Sequence, residues 1–593
     1  MKRCPCRSVV GAGGGLALAL LAFAARAGET PDVSLHGRVS YGLSYRMQEA
    51  DPALVNIANG SAIGIAGGAS GGQNADDGGN NFRRHDVTAN VLKAVAEMTL
   101  RQGPLTGMVR ARAWVDFALR NGDRPWGNAP NNYAANAPLS DAGFPRMSRF
   151  SGAAITDYSI QADSVSAAGV LISRLGQQAI NWGDKVMLGG GLGAAFPVDL
   201  AGARRPGALA QEGKVAVPAL FERLVVGPAL TLEGFYQFRQ RTNVYDGCGT
   251  FGSIADFVVE GCDKVFAGLP AGNDRVRLAA GAYVKRKDAP SQPGAGQFGA
   301  SLQGRLAPLA TDVGLYYLHT AARAPNPGLV KSARNGAPLI AGDPGGLNVR
   351  YFVEYPDDID TVALTFQHQY GKGSVYGEWS YRPNQPVQLS ASDLLGAFVS
   401  TTAPTPLRAA ERATPAGTVF HGYDRLPVWQ AQIGAQHGFA AAGLNWNGAA
   451  EVVLKQVDSL PDPAVRRYGR ADAYGQGPVN GLCVVNTASA QRQCSFDGFV
   501  SARAYGYRLR LDTRITALAD GLVFTPSLLF SHDLKGWSYD GLINQQRKSM
   551  NLALRFEYRE RYLAELVYAP SWGGAYNVLA DRDVLSLAAG LRF

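Results

Sequence analysis

Apolar and polar residues alternate along this chain with a period of two. From Val33 to Tyr45, Val33, Leu35, Val39, Tyr41, Leu43 and Tyr45 share one parity, and Ser34, His36, Arg38, Ser40 and Ser44 the other. Successive side chains of a strand point to opposite faces, so this segment is a strand with one apolar and one polar face. After a turn at Gly103-Pro104, Val109, Ala111, Ala113, Val115 and Phe117 oppose Arg110, Arg112, Trp114 and Asp116. Leu230, Leu232, Tyr236 and Phe238 oppose Thr231, Glu233, Gln237 and Arg239, with Phe235 interrupting the polar face. Val375, Trp379 and Tyr381 oppose Ser374, Tyr376, Glu378, Ser380 and Arg382. Tyr507, Leu509, Leu511 and Ile515 oppose Arg508, Arg510, Asp512 and Arg514. Leu554, Phe556 and Tyr558 oppose Arg555, Glu557 and Arg559. The pattern runs to the last residue, where Leu585, Leu587, Ala589, Leu591 and Phe593 share a face.

A strand with one face in lipid and the other in a polar lumen has this pattern. Aromatic residues gather near strand ends on the apolar parity, where an interfacial girdle belongs. Arginine recurs on the polar parity. On the lipid face it would cost about 2–4 kcal/mol at the midplane, so these arginines are expected to face inward. The acidic residues of the same face, Asp116, Glu233, Glu378, Asp512 and Glu557, would form a cross-strand charge ladder with them. A soluble all-β protein with one solvated face is the competing reading.

The amino terminus separates these readings. Lys2, Arg3 and Arg7 precede the apolar stretch Leu16 to Ala24, and Ala25-Arg26-Ala27 forms an A-x-A site before Gly28. That is the pattern of a secretory signal peptide over residues 1–27, and the stretch is short and glycine-flanked for a membrane anchor. No later run is long and apolar enough for a spanning helix, so insertion would require a closed barrel. We therefore expect an all-β fold: a transmembrane, antiparallel outer-membrane β-barrel filling residues 28–593 as one domain. At roughly 30 residues per strand with its loop, it would have about 16–20 strands. Such a barrel either needs filling or leaves a channel.

Composition changes this picture little. Glycine is abundant (72 residues), and Tyr and Phe are frequent at 24 each. Mean hydropathy is −0.08, the near-zero value that alternation produces. Four of the 57 basic residues fall in the leader, leaving 53 against 48 acidic ones, a net of +5 that gives no reason to expect nucleic acid. Of six cysteines, Cys248, Cys262, Cys483 and Cys494 survive processing. In an oxidising compartment the locally spaced pairs Cys248–Cys262 and Cys483–Cys494 are the expected disulfides; a metal site is the alternative, disfavoured because no His lies at ligand spacing beside either pair. Residues 59–80, rich in Gly, Ala and Asn, suit a long mobile loop. Pro197–Leu224 has three prolines and a poor period of two. It is either an inward constriction carrying Arg204 and Arg205 or an ordinary external loop.

Chemistry is sparse. The seven His residues are scattered, with no HExxH or other ligand spacing, so no metal or cofactor is expected. His532-Asp533 is the one suggestive pair for a barrel-embedded lipid hydrolase. A strand-end His-Asp bonded to the next turn is the plainer reading, and the chain is read as a non-enzyme.

Several blocks, taken together and in order, resemble the family of Gram-negative outer-membrane proteins known as domain of unknown function 1302. They are RLGQQAINWGD (Arg174–Asp184) with PVDLAGARRPGA, EGFYQF with DGCGTF, GQFG (Gly296–Gly299) with GLYYLHTAARAP, and the long block Glu354–Leu389, EYPDDIDTVALTFQHQYGKGSVYGEWSYRPNQPVQL. YGYRLRL, FSHDLKG and LADRDVLSL follow near the carboxy terminus. One departure is Ala321-Ala322-Arg323-Ala324-Pro325, where the family carries His-Ser-Arg-x-Pro, so no role is carried over for that His. The first block also loosely resembles barrels that export alginate through arginine-lined lumens.

The resemblance implies an outer-membrane conduit for hydrophobic or amphipathic small molecules such as lipids, sterols or aromatic compounds. It further implies a periplasmic lipid-binding-like partner and an inner-membrane pump of the resistance-nodulation-division type. An anion- or polyanion-selective porin is the second transport reading. The terminal strand, with Leu585, Leu587, Leu591 and Phe593, resembles the assembly signal that outer-membrane barrels present to their insertion machinery.

Overall fold

Alternation of this kind closes into a ring. The computed structural model describes residues 30–183, 186–290, 296–485 and 487–593; the expected leader, residues 1–27, lies outside them. Eighteen strands form the barrel: β1 Asp32–Arg46, β2 Val87–Gln102, β3 Leu105–Asp116, β4 Ser151–Ser166, β5 Gly169–Gln178, β6 Val217–Val226, β7 Leu230–Gln237, β8 Gln297–Leu306 and β9 Thr311–Thr320. The second half comprises β10 Ile359–Tyr370, β11 Gly373–Gln388, β12 Tyr423–Ala441, β13 Leu444–Val457, β14 Arg503–Thr513, β15 Leu522–Lys535, β16 Lys548–Tyr558, β17 Tyr562–Ala569 and β18 Val584–Arg592. Each pairs antiparallel with its sequence neighbours, and β1 closes on β18 with Val39 opposite Leu591, Tyr41 opposite Ala589 and Leu43 opposite Leu587. No open edge remains, as hydrocarbon demands.

Register carries the apolar parity around the wall. Leu232, Leu302, Leu315, Leu364 and Trp379 lie on one outward row from β7 to β11, all exposed to the membrane. Tight connections such as 103–104, 167–168, 371–372 and 442–443 share one end with both chain termini, which makes that end periplasmic. Outward Tyr370, Phe439, Tyr558, Tyr562 and Phe593 form the girdle there, and Tyr236, Phe238, Phe298, Tyr317 and Tyr505 form one at the other end. The chain is a barrel of the bacterial outer membrane.

The long loops lie at the extracellular end: L1 (47–86), L2 (117–150), L3 (179–216), L4 (238–296), L5 (321–358), L6 (389–422), L7 (458–502), L8 (536–547) and L9 (570–583). Several of them fold together into a cap. Short strands of L4, L5 and L6 make a five-stranded sheet over a second apolar core that includes Val265, Val284, Leu329, Tyr351 and Phe398. Both disulfides lie in this layer, Cys248–Cys262 in L4 and Cys483–Cys494 in L7, with Cα separations of 6.0 and 5.5 Å.

Three expectations are corrected. Residues 59–80 are no loose loop: Asn74, Asp76, Asp77 and Asn80 are buried, because glycines let L1 press against L4. Pro197–Leu224 is not a single element, since from Val217 onward it is β6, with Val217, Ala219 and Phe221 inward. Phe117 opens a helical turn, Phe117–Asn121, instead of ending β3, because the Asp116 carboxylate caps the amides of Ala118 and Leu119 at 3.0 and 3.2 Å.

Candidate functional site: the lumen and its inward loop

L3 turns into the barrel. Its first part is seated by packing: Trp182 meets Phe235, Tyr316 and Phe196 edge-on, with ring centroids 5.2, 5.4 and 6.2 Å apart. Phe235, the residue that breaks the polar face of β7, is thus the loop's apolar seat. Glu233 accepts from Trp182 Nε1 at 2.6 Å. Further round the wall, the backbone amides of Met187 and Leu188 donate to Glu451 (2.7 and 2.9 Å), and that of Leu192 donates to Glu378 (2.8 Å). The Arg382 guanidinium donates to the Gly191 carbonyl. These inward carboxylates hold the loop's otherwise orphaned amides.

The second part of L3 packs on β1–β3. The helical turn Leu200–Arg204 is capped by Asp199, which accepts from the Gly202 amide at 2.7 Å and pairs with Arg112. Lys93 pairs with Glu212 at 2.8 Å, and Arg38 donates to the Gly207 carbonyl at 2.8 Å. Arg205 lies 4.3 Å over the Trp114 ring and donates to the Met147 carbonyl at 2.8 Å. Arg204 pairs with Asp246 and donates to the Gly252 carbonyl at 2.9 Å. Arg323, the arginine retained in the departing family block, is buried and donates to Ala195 O (2.7 Å), Arg241 O (2.9 Å) and Gln237 Oε1 (3.1 Å), tying L3, L4 and L5 together.

This packing leaves a cavity of about 890 Å³ between residues 201–208 and the inner faces of β15–β18 and β1. The wall is small and weakly polar, with Ser549, Ala553, Val567 and Ser586, and the loop opposite presents Arg204 and Arg205. Arg555 in the wall pairs with Glu565 at 2.9 Å.

Several pairs share an asymmetry. In Arg555–Glu565 the arginine side chain is 50% exposed and the acid 15%; in Arg510–Asp512 the values are 57% and 18%. Arg204–Asp246, Arg223–Glu233 and Arg592–Glu557 follow the same order, while Arg110–Glu97, Lys455–Asp540 and Arg425–Asp357 show the reverse. In the former pairs the guanidinium faces water while its carboxylate sits beneath.

The sequence-derived set therefore divides. Arg510, Asp512 and Arg555 face the lumen. Arg38, Arg112, Glu233, Glu378 and Arg382 face inward but are engaged with L3, and Asp116 is engaged with its helical turn. Arg110 is held between Glu97 and Asp157, and Arg508 pairs with buried Asp533 at 2.7 Å. Arg239 lies two residues past the end of β7, and Arg514 one residue past the end of β14, where Ile515 still pairs with Phe524 and Arg514 lies close to the inward Glu557. Sequence reasoning missed Lys93, Asp199, Glu212 and Glu451, whose partners are remote in the chain. His532 and Asp533 point to opposite faces: His532 meets the outward Tyr507 ring, and Asp533 pairs inward with Arg508 and Arg547. They form no catalytic pair.

A comparison with curated proteins returned no match. Among solved structures, the chain is similar to OccAB1 of Acinetobacter baumannii at 10% identity and a TM-score of 0.40, covering 95% of this chain and 96% of the other. For OccD3 (OpdP) of Pseudomonas aeruginosa the figures are 10%, 0.37, 95% and 90%, and for the outer membrane channel DcaP of Acinetobacter baumannii 10%, 0.33, 95% and 97%. The family model described as protein of unknown function (DUF1302) matches residues 8–593, nearly the whole length, and the chain belongs to that family.

Proposed function

We propose that the barrel is a passive channel for small amphipathic solutes that carry an anionic group. The observation that carries this reading is a cavity of about 890 Å³ with an exposed guanidinium on each side, Arg204 on the loop and Arg555 among small residues in the wall. Arginines on a pore wall favour anions, and small uncharged side chains accept an apolar frame. The pump and periplasmic partner implied by the family resemblance belong to the same proposal, since a barrel has no energy source of its own.

Bilayer recordings under a salt gradient, with liposome uptake of benzoate, benzyl alcohol and benzylamine, test it. The expected result is an anion-selective open state and fastest uptake of benzoate. Arg204→Gln with Arg555→Gln should shift the reversal potential toward zero selectivity. A cation-selective pore, or uptake indifferent to charge, would overturn the reading.

A further inference from the structure

Four aspartates are buried together where L1 meets L4: Asp76 and Asp77 of L1, and Asp256 and Asp274 of L4, none more than 3% exposed. Among the described residues none of them forms an ion pair. Guanidinium groups stand nearby without pairing with the cluster: Arg582, whose charge reaches Asp256, bonds Asp581 (3.3 Å) and the Phe251 carbonyl (2.8 Å), and Arg275, near Asp274, bonds the carbonyls of Pro125, Trp126 and Tyr133. Carboxylate oxygens of Asp76, Asp77 and Asp256 lie within 4.8 Å of one another. Burial raises all four carboxyls above their usual range, and neighbouring carboxylates raise Asp77, Asp256 and Asp274 further.

Neutral donors arrange the cluster without neutralising it. Trp126 Nε1 and Tyr133 OH donate to Asp77 at 2.8 and 3.1 Å. Asn59 bridges Asp76 and Asp274, and Gln73 donates to Asp274. One acceptor stays unanswered: Asp256 Oδ1 makes no hydrogen bond, although Asp256 is only 3% exposed. Asn80, 1% exposed, turns its side-chain amide onto the Asp76 carboxylate. A buried unpaired acceptor is costly, and a cation is what such a set accepts.

We propose that Asp76, Asp77 and Asp256, with the Asn80 amide oxygen, bind a calcium ion that staples L1 to L4. The donors are all oxygen, as a hard cation requires. Ligands on opposite sides of Ca²⁺, at 2.3–2.6 Å each, are separated by up to about 5 Å, so carboxylate oxygens within 4.8 Å of one another can share one such ion. The extracellular side is where calcium is plentiful. Asp256 lies inside the loop closed by Cys248–Cys262; Thr250 to Gly252 of that loop border the lumenal cavity, and the Gly252 carbonyl accepts from Arg204. The ion would therefore set the position of one pore wall.

The test is terbium luminescence of the purified, folded protein, excited through Trp126, with calcium as competitor. The expected result is a saturable signal that calcium displaces at least tenfold more effectively than magnesium. Calcium should also raise the melting temperature, and a chelator should reverse the rise. Asp77→Asn and Asp256→Asn, checked for folding by heat-modifiable gel mobility, should lose both effects. Absence of calcium-displaceable luminescence and of a melting shift in the unsubstituted protein overturns the proposal. So does an Asp256→Asn variant that is equally or more stable and still responds to calcium, because the cluster would then be a set of shared-proton carboxylic acids.

Discussion

At the scale of single residues, side chains that break the alternation carry the most information. Phe235 breaks it inward and seats L3. Glu222 breaks it outward: β5 and β6 pair Leu171 with Leu224, Ser173 with Glu222 and Leu175 with Leu220, so Glu222 shares a face with lipid-exposed leucines near mid-strand. Among the described residues its side-chain hydrogen bond is to Ser173 Oγ, which donates at 2.6 Å. A lipid-facing carboxylate costs less than a cation there but is still unfavourable. Glu222→Leu should therefore stabilise the barrel by about 1–2 kcal/mol, read as a higher guanidinium midpoint in vesicles. An unchanged midpoint would mean that something other than lipid covers this face. The end of the chain shows the converse, a fitted glycine. A Cβ on Gly37 would lie 2.2 Å from the Phe593 ring, which crosses β1 where the side chain is missing. Gly37→Val should slow folding into lipid, followed by the appearance of the heat-modifiable band, while leaving the strand register unchanged.

At the scale of elements, strands and loops were unequally legible. The barrel strands could be read because lipid on one face and water on the other fix a period of two in every strand, and the structure's eighteen strands fall within the expected 16–20. The inward course of L3 could not be read. Its amides are held by Glu378 and Glu451, which lie 186 and 264 residues further along the chain, and nothing local marks a lumenal carboxylate as a loop anchor. Prolines and a poor period announced only that Pro197–Leu224 was unusual. The aspartate cluster was hidden for the same reason: Asp76-Asp77 is visible in a glycine-rich stretch, but Asp256 and Asp274 are supplied by another loop. The anchors make a prediction. Glu378→Ala with Glu451→Ala should leave the barrel folded while freeing the first part of L3. Single channels should then show larger, fluctuating conductance, and a steady, unchanged conductance would mean that the Trp182 cluster suffices to hold the loop.

At the scale of the whole molecule there are two cores, one imposed by the membrane and one built in the loops. The barrel is held by a closed hydrogen-bonded ring, whereas the cap depends on the apolar cluster around Tyr351, on two disulfides and, under our proposal, on a calcium ion. The two cores should come apart under different challenges. Cys248–Cys262 closes a short loop with a sequence separation of 14, a cross-link worth about 3 kcal/mol in chain entropy. Asp256 lies within that loop, so its position depends on the closure. Reduction, or the double variant Cys248→Ala, Cys262→Ala, should leave heat-modifiable mobility intact and weaken calcium binding by tenfold or more. Calcium protection of L4 against protease should be lost with it. If the cap resisted protease equally with and without the disulfide and calcium, the apolar cluster alone would account for it. Loss of the heat-modifiable band in the double variant would instead mean that the cap is needed for the barrel to close.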